Sequence, residues 1–231
     1  SLLKIEAEAA INIISCMIIS MLYLLSVSIY ILICRLKKLS LDKAEYWLFT
    51  SLLMSPTIAT LAIIHIRQGV SVIVMLITLI LTRPKYLRDF CRINTVIALC
   101  IPAFVHLSQP FILMIIWIKG ILSRLKTSWL SKIGGIMACI ILSLNTTIAF
   151  LARPDKSTEY GDLSMYGTGI GLLFYASILC YLFISSSFEK TGFSQLLLAF
   201  YVSTYYLFPY SGRILAAGMT LMMCDLTTGL R

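Results

Sequence analysis

The chain is predicted to be an all-α polytopic membrane protein, with about nine apolar segments and broken or re-entrant helix hairpins at the outer face. Three observations predict this. Of 231 residues, 59% are hydrophobic and 13% charged, and the mean hydropathy is +0.94, whereas soluble domains carry about 25% charge. Several apolar runs reach or approach the ~18–20 residues that cross a bilayer. The runs are continuous rather than alternating, which selects helices. Residues 1–231 read as a single membrane-embedded domain, and the ends, Ser1-Leu2 and Leu230-Arg231, read as those of part of a longer protein.

The first segment, 10–34, is followed by Arg35, Lys37, Lys38 and Lys43, a basic cluster that marks the cytoplasmic side. Segments 46–64, interrupted by Ser55-Pro56, and 69–82 flank His65-Ile66-Arg67-Gln68 and lead to Arg83, Lys85, Arg88 and Arg92. Two basic loops on one side require an even number of crossings, so 65–68 is an outer turn. Segments 93–105 and 111–122 flank His106-Leu107-Ser108-Gln109-Pro110 and precede Arg124, Lys126 and Lys132. Each of these arms spans only ~18–20 Å as helix, too short for ~30 Å of hydrocarbon. They read as a re-entrant hairpin, with Pro102 and Pro110 at its broken path. Segment 133–152 leads out to a polar outer loop, 153–166. Segment 167–187 returns to Glu189-Lys190, with Gly169 and Gly171 there for close helix packing. Segments 194–208 and 214–224 flank Pro209-Tyr210-Ser211-Gly212-Arg213, a third broken hairpin.

The net charge of +9 reads as a positive-inside bias and not as a nucleic-acid partner, because about a dozen of the 19 Lys and Arg fall in inner loops. No Asp or Glu is expected within a span. Six cysteines (Cys16, Cys34, Cys100, Cys139, Cys180, Cys224) lie in or beside apolar runs and Cys91 lies in a basic loop. None has metal-ligand spacing, and all read as packing residues. A guanidinium beside hydrocarbon costs ~2.5–3.5 kcal/mol, so Arg67 is either part of a site or a snorkelling anchor. The polar tips favour a site. His65, Arg67 and Gln68, then His106, Ser108 and Gln109, then Tyr210, Ser211 and Arg213, all fall on the face that carries Arg153, Asp155, Glu159, Tyr160 and Asp162. Guanidinium forks match phosphate oxygens, and open lipid-facing surroundings suit an amphiphile with a diphosphate head. The 153–166 loop adds partners for sugar hydroxyls. Two histidines without a spaced acidic pair do not define a metal site. Ser108 as a nucleophile lacks an acid nearby in sequence.

Ile66-Arg67-Gln68 opening a hydrophobic helix, Val105-His106-Leu107-Ser108 at a helix break, and Ser211-Gly212-Arg213 after a polar turn together resemble the EpsG/Wzy-type polysaccharide polymerases. These bacterial inner-membrane enzymes build O-antigen and exopolysaccharide chains. The similarity runs over 42–217, and the family's early Asp and Tyr positions have no match. The resemblance implies metal-independent, cofactor-free glycosyl transfer on the periplasmic face. A growing glycan leaves its undecaprenyl diphosphate and joins a hydroxyl of the next lipid-linked repeat unit. A chain-length regulator protein is an implied partner, beside membrane lipid. Arg67 and Arg213 become the diphosphate clamps. His106 is the preferred base, with Asp155, Glu159 or Asp162 as substitutes. His65, Gln68, Ser108, Gln109, Arg153, Tyr160, Tyr210 and Ser211 become substrate-positioning groups.

Two rivals stand beside this reading. A lipid-linked oligosaccharide flippase would carry polar residues through the membrane depth and on the inner side, whereas here they are expected to stop at the outer third. An anchoring subunit would use Arg67 for topology alone. An O-antigen ligase is a relative of the enzyme reading that shares its donor.

Overall fold

The structure is a computed structural model that describes residues 2–36, 38–40, 46, 66–82, 100–102, 104–106, 108–122, 133–137, 140, 141, 144, 170–205 and 211–229. All regular structure among the described residues is helical. The principal helices are α1 (Leu2–Leu36), α2 (Ile66–Thr82), α3 (Ser108–Leu122), α4 (Ile170–Ser185), α5 (Phe188–Thr204) and α6 (Ser211–Gly229). The stretch Ala9–Arg35 is long and apolar enough to cross a membrane, and Ile66–Leu81, Ser108–Leu122 and Ile170–Ser185 are shorter apolar helices. The segments expected over 46–64 and 133–152 lie mostly outside the described residues.

Each helix follows from its sequence. The chain runs apolar in every direction around α4, and around α1 beyond Lys4, Glu6 and Glu8, so neither shows a polar stripe. Hydroxyls inside helices bond back to the carbonyl one turn earlier: Ser28 Oγ to Leu24 O, Ser177 Oγ to Leu173 O and Thr78 Oγ1 to Val74 O, each at 2.8 Å. This local bond lets Ser and Thr sit in apolar helices without an external partner. Helix α1 stops at a Schellman turn: Leu39 N–H donates to Cys34 O (2.9 Å) and Lys38 N–H to Arg35 O (3.2 Å). Lys38 occupies the left-handed position of that turn with φ 54°. A side chain there costs energy that glycine avoids, so Lys38→Gly should stabilise the purified protein by about 1 kcal/mol, read as a raised unfolding temperature.

The core is built around α5, buried on nearly all sides from Thr191 to Tyr201, with α6 packed along it. Helix α4 covers another face of α5 through an edge-to-face ladder, Tyr175–Tyr201 at 5.2 Å and Tyr201–Tyr205 at 5.5 Å between ring centroids. Helix α3 lies against α5 and α6, and α2 lies on α1 and reaches α3 and α6. The interior is apolar, with Leu22, Met75, Leu76, Ile112, Ile115, Leu196, Leu197 and Phe200 almost fully buried. The outside is apolar too. Phe104 is 90% exposed, Ile184 84%, and Ile13, Met17, Leu24, Leu173 and Phe174 also point outward.

Close approach of α5 and α6 depends on glycines other than those expected. A Cβ on Gly171 would meet Tyr201 Oη at 3.6 Å, an ordinary contact, so Gly171 is not a close-packing position; Gly169 lies outside the described residues. The tight positions between α5 and α6 are Gly218, where a Cβ would sit 2.6 Å from Leu197 Cδ2, and Gly229, where it would sit 2.5 Å from the Lys190 carbonyl oxygen. Leu197 can rotate away, whereas a backbone carbonyl cannot. Gly229→Ala should therefore destabilise by about 1–3 kcal/mol and Gly218→Ala by less, as measured by thermal unfolding.

Candidate functional site

Three helices begin at one end of the bundle, and their first turns hold the residues expected to form a site. Ile66, not a turn residue, starts α2, so Arg67 and Gln68 belong to its first turn. Helix α3 starts at Ser108, which puts Gln109 and Pro110 inside its first turn. The break lies at His106, just before it. Pro110 therefore helps to start a helix, where a missing N–H costs nothing. Ser211, Gly212 and Arg213 form the first turn of α6.

Hydrogen bonds join these turns. Gln109 Nε2 donates to Ser71 Oγ (2.9 Å), and Ser71 Oγ donates to Gln68 O (2.7 Å). Gln68 Nε2 donates to the Arg213 carbonyl. One chain of contacts thus runs from α3 through α2 to α6. Gln68, Ser71, Ser108, Gln109 and Ser211 are buried, while Arg67 and Arg213 are exposed at its edge. The carboxamide oxygens of Gln68 and Gln109 are buried with no hydrogen-bond partner. They offer two acceptors to a donor-bearing molecule or water. His106 joins through α3: its Nδ1 is 2.9 Å from Ser108 Oγ and takes the Ser108 N–H at 3.1 Å, and its carbonyl takes the Gln109 N–H at 3.1 Å.

Among the described residues, the charges at this end have one sign. Each helix N-terminus carries roughly half a positive charge and unsatisfied N–H groups, and three of them meet beside two guanidinium groups. The carboxylates with described side chains, Glu189 and Asp225, lie elsewhere. Asp225 follows Arg213 by 12 residues along α6, ~18 Å of helix. Such an end suits a multiply charged oxyanion. Ser108 Oγ lies 2.9 Å from His106 Nδ1, the nitrogen that also takes the Ser108 N–H. His65, Arg153, Asp155, Glu159, Tyr160, Asp162 and Tyr210 lie outside the described residues.

The far end of the same helices corrects one expectation. Helix α6 does not end at Cys224 but continues to Gly229, so Asp225 lies inside it, 9% exposed. Lys119 on α3 pairs with it, Nζ to Oδ1 at 3.1 Å, and Ser194 donates its N–H and its hydroxyl to Oδ2, each at 3.0 Å. Ser194 follows a break in α5 at Thr191 (φ −125°, ψ 23°). Asp225 caps the helix that restarts there, as an acidic N-cap would, but from another helix. Gln195, Thr191 and Ser186 extend this buried polar cluster, Gln195 Nε2 to Thr191 Oγ1 at 3.0 Å and Thr191 Oγ1 to Ser186 Oγ at 2.8 Å. The sequence carries a clue to the pair, a Lys and an Asp in different apolar runs, each too costly to stand alone. Ser71 had a clue as well, three residues after Gln68 on the same helix face. Among the cysteines, Cys34 and Cys224 are buried packing residues, but Cys16, Cys100 and Cys180 point outward; Cys91 and Cys139 lie outside the described residues.

Comparison with protein-family models, with curated proteins and with solved structures gives no match.

Proposed function

We propose that the chain is a multi-pass protein of the bacterial inner membrane that polymerises undecaprenyl-diphosphate-linked repeat units into O-antigen or exopolysaccharide on the periplasmic face. The observation that carries the reading is the junction of three helix N-termini, with Arg67 and Arg213 at its edge and Gln68 bridging them. The apolar exterior and the inward-bonded hydroxyls support a lipid setting. In the proposed reaction an acceptor hydroxyl attacks the anomeric carbon of the donor glycan. Its new C–O bond forms as the bond to the lipid diphosphate breaks, and the diphosphate leaves with the electron pair. Arg67, Arg213 and the first-turn N–H groups offset the charge that develops there, where fixed donors in a dry site are worth most. The acceptor proton goes to a base, for which His106 and the loop carboxylates Asp155, Glu159 and Asp162 are the candidates.

A second reading, a lipid-linked oligosaccharide flippase or transporter, gains from the Lys119–Asp225 pair. Polar and charged groups do not stop at one end of the helices, which weakens the expectation that argued against transport. An O-antigen ligase would use the same donor site with a lipid A-core acceptor. Purified protein in liposomes with labelled lipid-linked repeat units separates these. Elongation without ATP or partner proteins supports the polymerase. Movement of the label between leaflets without elongation supports the transporter, and transfer only to lipid A-core supports the ligase.

A further inference from the structure

We propose that the carboxamide oxygens of Gln68 and Gln109 accept hydrogen bonds from the hydroxyl or amide N–H groups of a sugar, so that this end of the helices takes a sugar phosphate in preference to a bare phosphate; the proposal rests on the reading of this end as an anion site. The chain has three glutamines, Gln68, Gln109 and Gln195, and two of them stand in the first turns of α2 and α3. Gln68 is 1% exposed and Gln109 0%. Chemistry fixes which way each carboxamide is turned. The partner of Gln68 is the Arg213 carbonyl, which can only accept, so the atom facing it is Nε2. The partner of Gln109 is Ser71 Oγ, whose one hydrogen goes to Gln68 O, so this hydroxyl too can only accept. Each Oε1 lies ~2.2 Å from its own Nε2, which keeps both oxygens at the helix starts that the nitrogens join. Neither oxygen has a hydrogen-bond partner among the described residues.

These oxygens set a requirement that the arginines and helix N-termini do not. An ionised phosphate oxygen is an acceptor, as a carboxamide oxygen is, and two acceptors repel without a hydrogen between them. A buried acceptor left without a donor costs free energy. The group that meets these oxygens must therefore donate, yet must not bring positive charge beside Arg67, Arg213 and three helix N-termini. A neutral donor attached to an anion satisfies both conditions, and a sugar next to its phosphate has this form. The way in lies on the α6 side. Gly212 stands between buried Ser211 and exposed Arg213, and a Cβ on it would meet no described atom within 4 Å. Recognition of the sugar next to the diphosphate then belongs to the helix starts and not to the 153–166 loop alone. No bond forms or breaks in this role; it decides which phosphate is held.

The glutamines also supply the probe. Side-chain ¹⁵N-glutamine labelling of the whole protein in nanodiscs gives three carboxamide signals, assigned with Gln68→Met, Gln109→Met and Gln195→Met. The titrants are cyclohexyl phosphate, whose ring carries no hydroxyl, and the 1-phosphates of glucose, galactose and N-acetylglucosamine. At least one sugar phosphate should bind about tenfold or more tightly than cyclohexyl phosphate, because a site built to bond a hydroxyl rejects a ligand that lacks it. It should shift the Gln68 and Gln109 signals and leave in place that of Gln195, which lies in the far cluster. Gln109→Met should bring the two kinds of phosphate to within about twofold of each other, with cyclohexyl phosphate bound as in the wild type. Gln195→Met should leave the preference intact. Equal binding of all the phosphates to the wild-type protein would overturn the proposal, with water as the partner of the oxygens and the anion site kept; this comparison needs no variant to fold. A preference that survives both Gln68→Met and Gln109→Met, or that is lost in a folded Gln195→Met, would overturn it too. Binding of none of the phosphates removes the anion reading and the proposal together. A protein that shows the preference but elongates no lipid-linked glycan would retire the polymerase reading alone.

Discussion

Arg67→Ala should lower elongation of lipid-linked glycan by about 10²–10³-fold while leaving the protein folded. The reasons are local. Arg67 is exposed in the first turn of α2 and enters no ion pair among the described residues, so little packing is lost with it. Its neighbour Gln68 holds the Arg213 carbonyl, which places the two arginines on turns that cannot drift apart. Arg67→Lys should fall between wild type and Ala, because an ammonium keeps the charge but not the two-pronged match to a phosphate. Arg213→Ala should cost a similar factor, and, with both arginines proposed to act on one diphosphate, the double variant less than the product of the two. Chain length of lipid-linked polymer in vesicles, at matched protein amounts, is the measurement. Unchanged polymer in Arg67→Ala would take that residue out of the mechanism.

The second large effect lies at the far end of the bundle. Asp225→Ala should destabilise by about 3 kcal/mol, because it strands a partly buried ammonium and uncaps the restart of α5. Asp225→Asn keeps an acceptor for the Ser194 N–H and should cost about half of that. Replacing both partners, Lys119→Met with Asp225→Leu, should recover much of the loss, since apolar pairs of similar volume often match a buried ion pair. Denaturant or thermal unfolding in detergent measures all three. A milder loss in Asp225→Ala than in Asp225→Asn would mean that the carboxylate does not hold these helices. The same variants bear on function: loss of lipid movement in a stable Asp225→Asn protein would favour the transporter reading.

The two ends differ in how far they could be read from the residues. Continuous apolar runs anticipated the described helices, and the first turns of α2, α3 and α6, where three polar tips were expected, are joined by hydrogen bonds. The bonds that join the tips could not be read, because the partner of Gln68 is a backbone carbonyl 145 residues away. Asp225 was missed for a related reason. A carboxylate after Cys224 looks like the end of an apolar run when only neighbours in sequence are weighed, but its donors come from 31 and 106 residues away. Gly171 shows the converse: its position in a helix suggested a tight contact that Gly218 and Gly229 make instead.

The Lys119–Asp225 pair also sets an order of assembly. Lys119 is translated 106 residues before its carboxylate, and at ~5–20 residues per second that interval is about 5–20 s. Until Asp225 emerges, α3 carries an ammonium with no counter-charge on α6, and the break in α5 has no cap. The described helices are thus clasped by α6, the last of them in chain order. Cells that stall synthesis between Ser194 and Asp225 should hold a chain whose earlier helices are made but not yet locked, a window in which quality-control proteases have their best access.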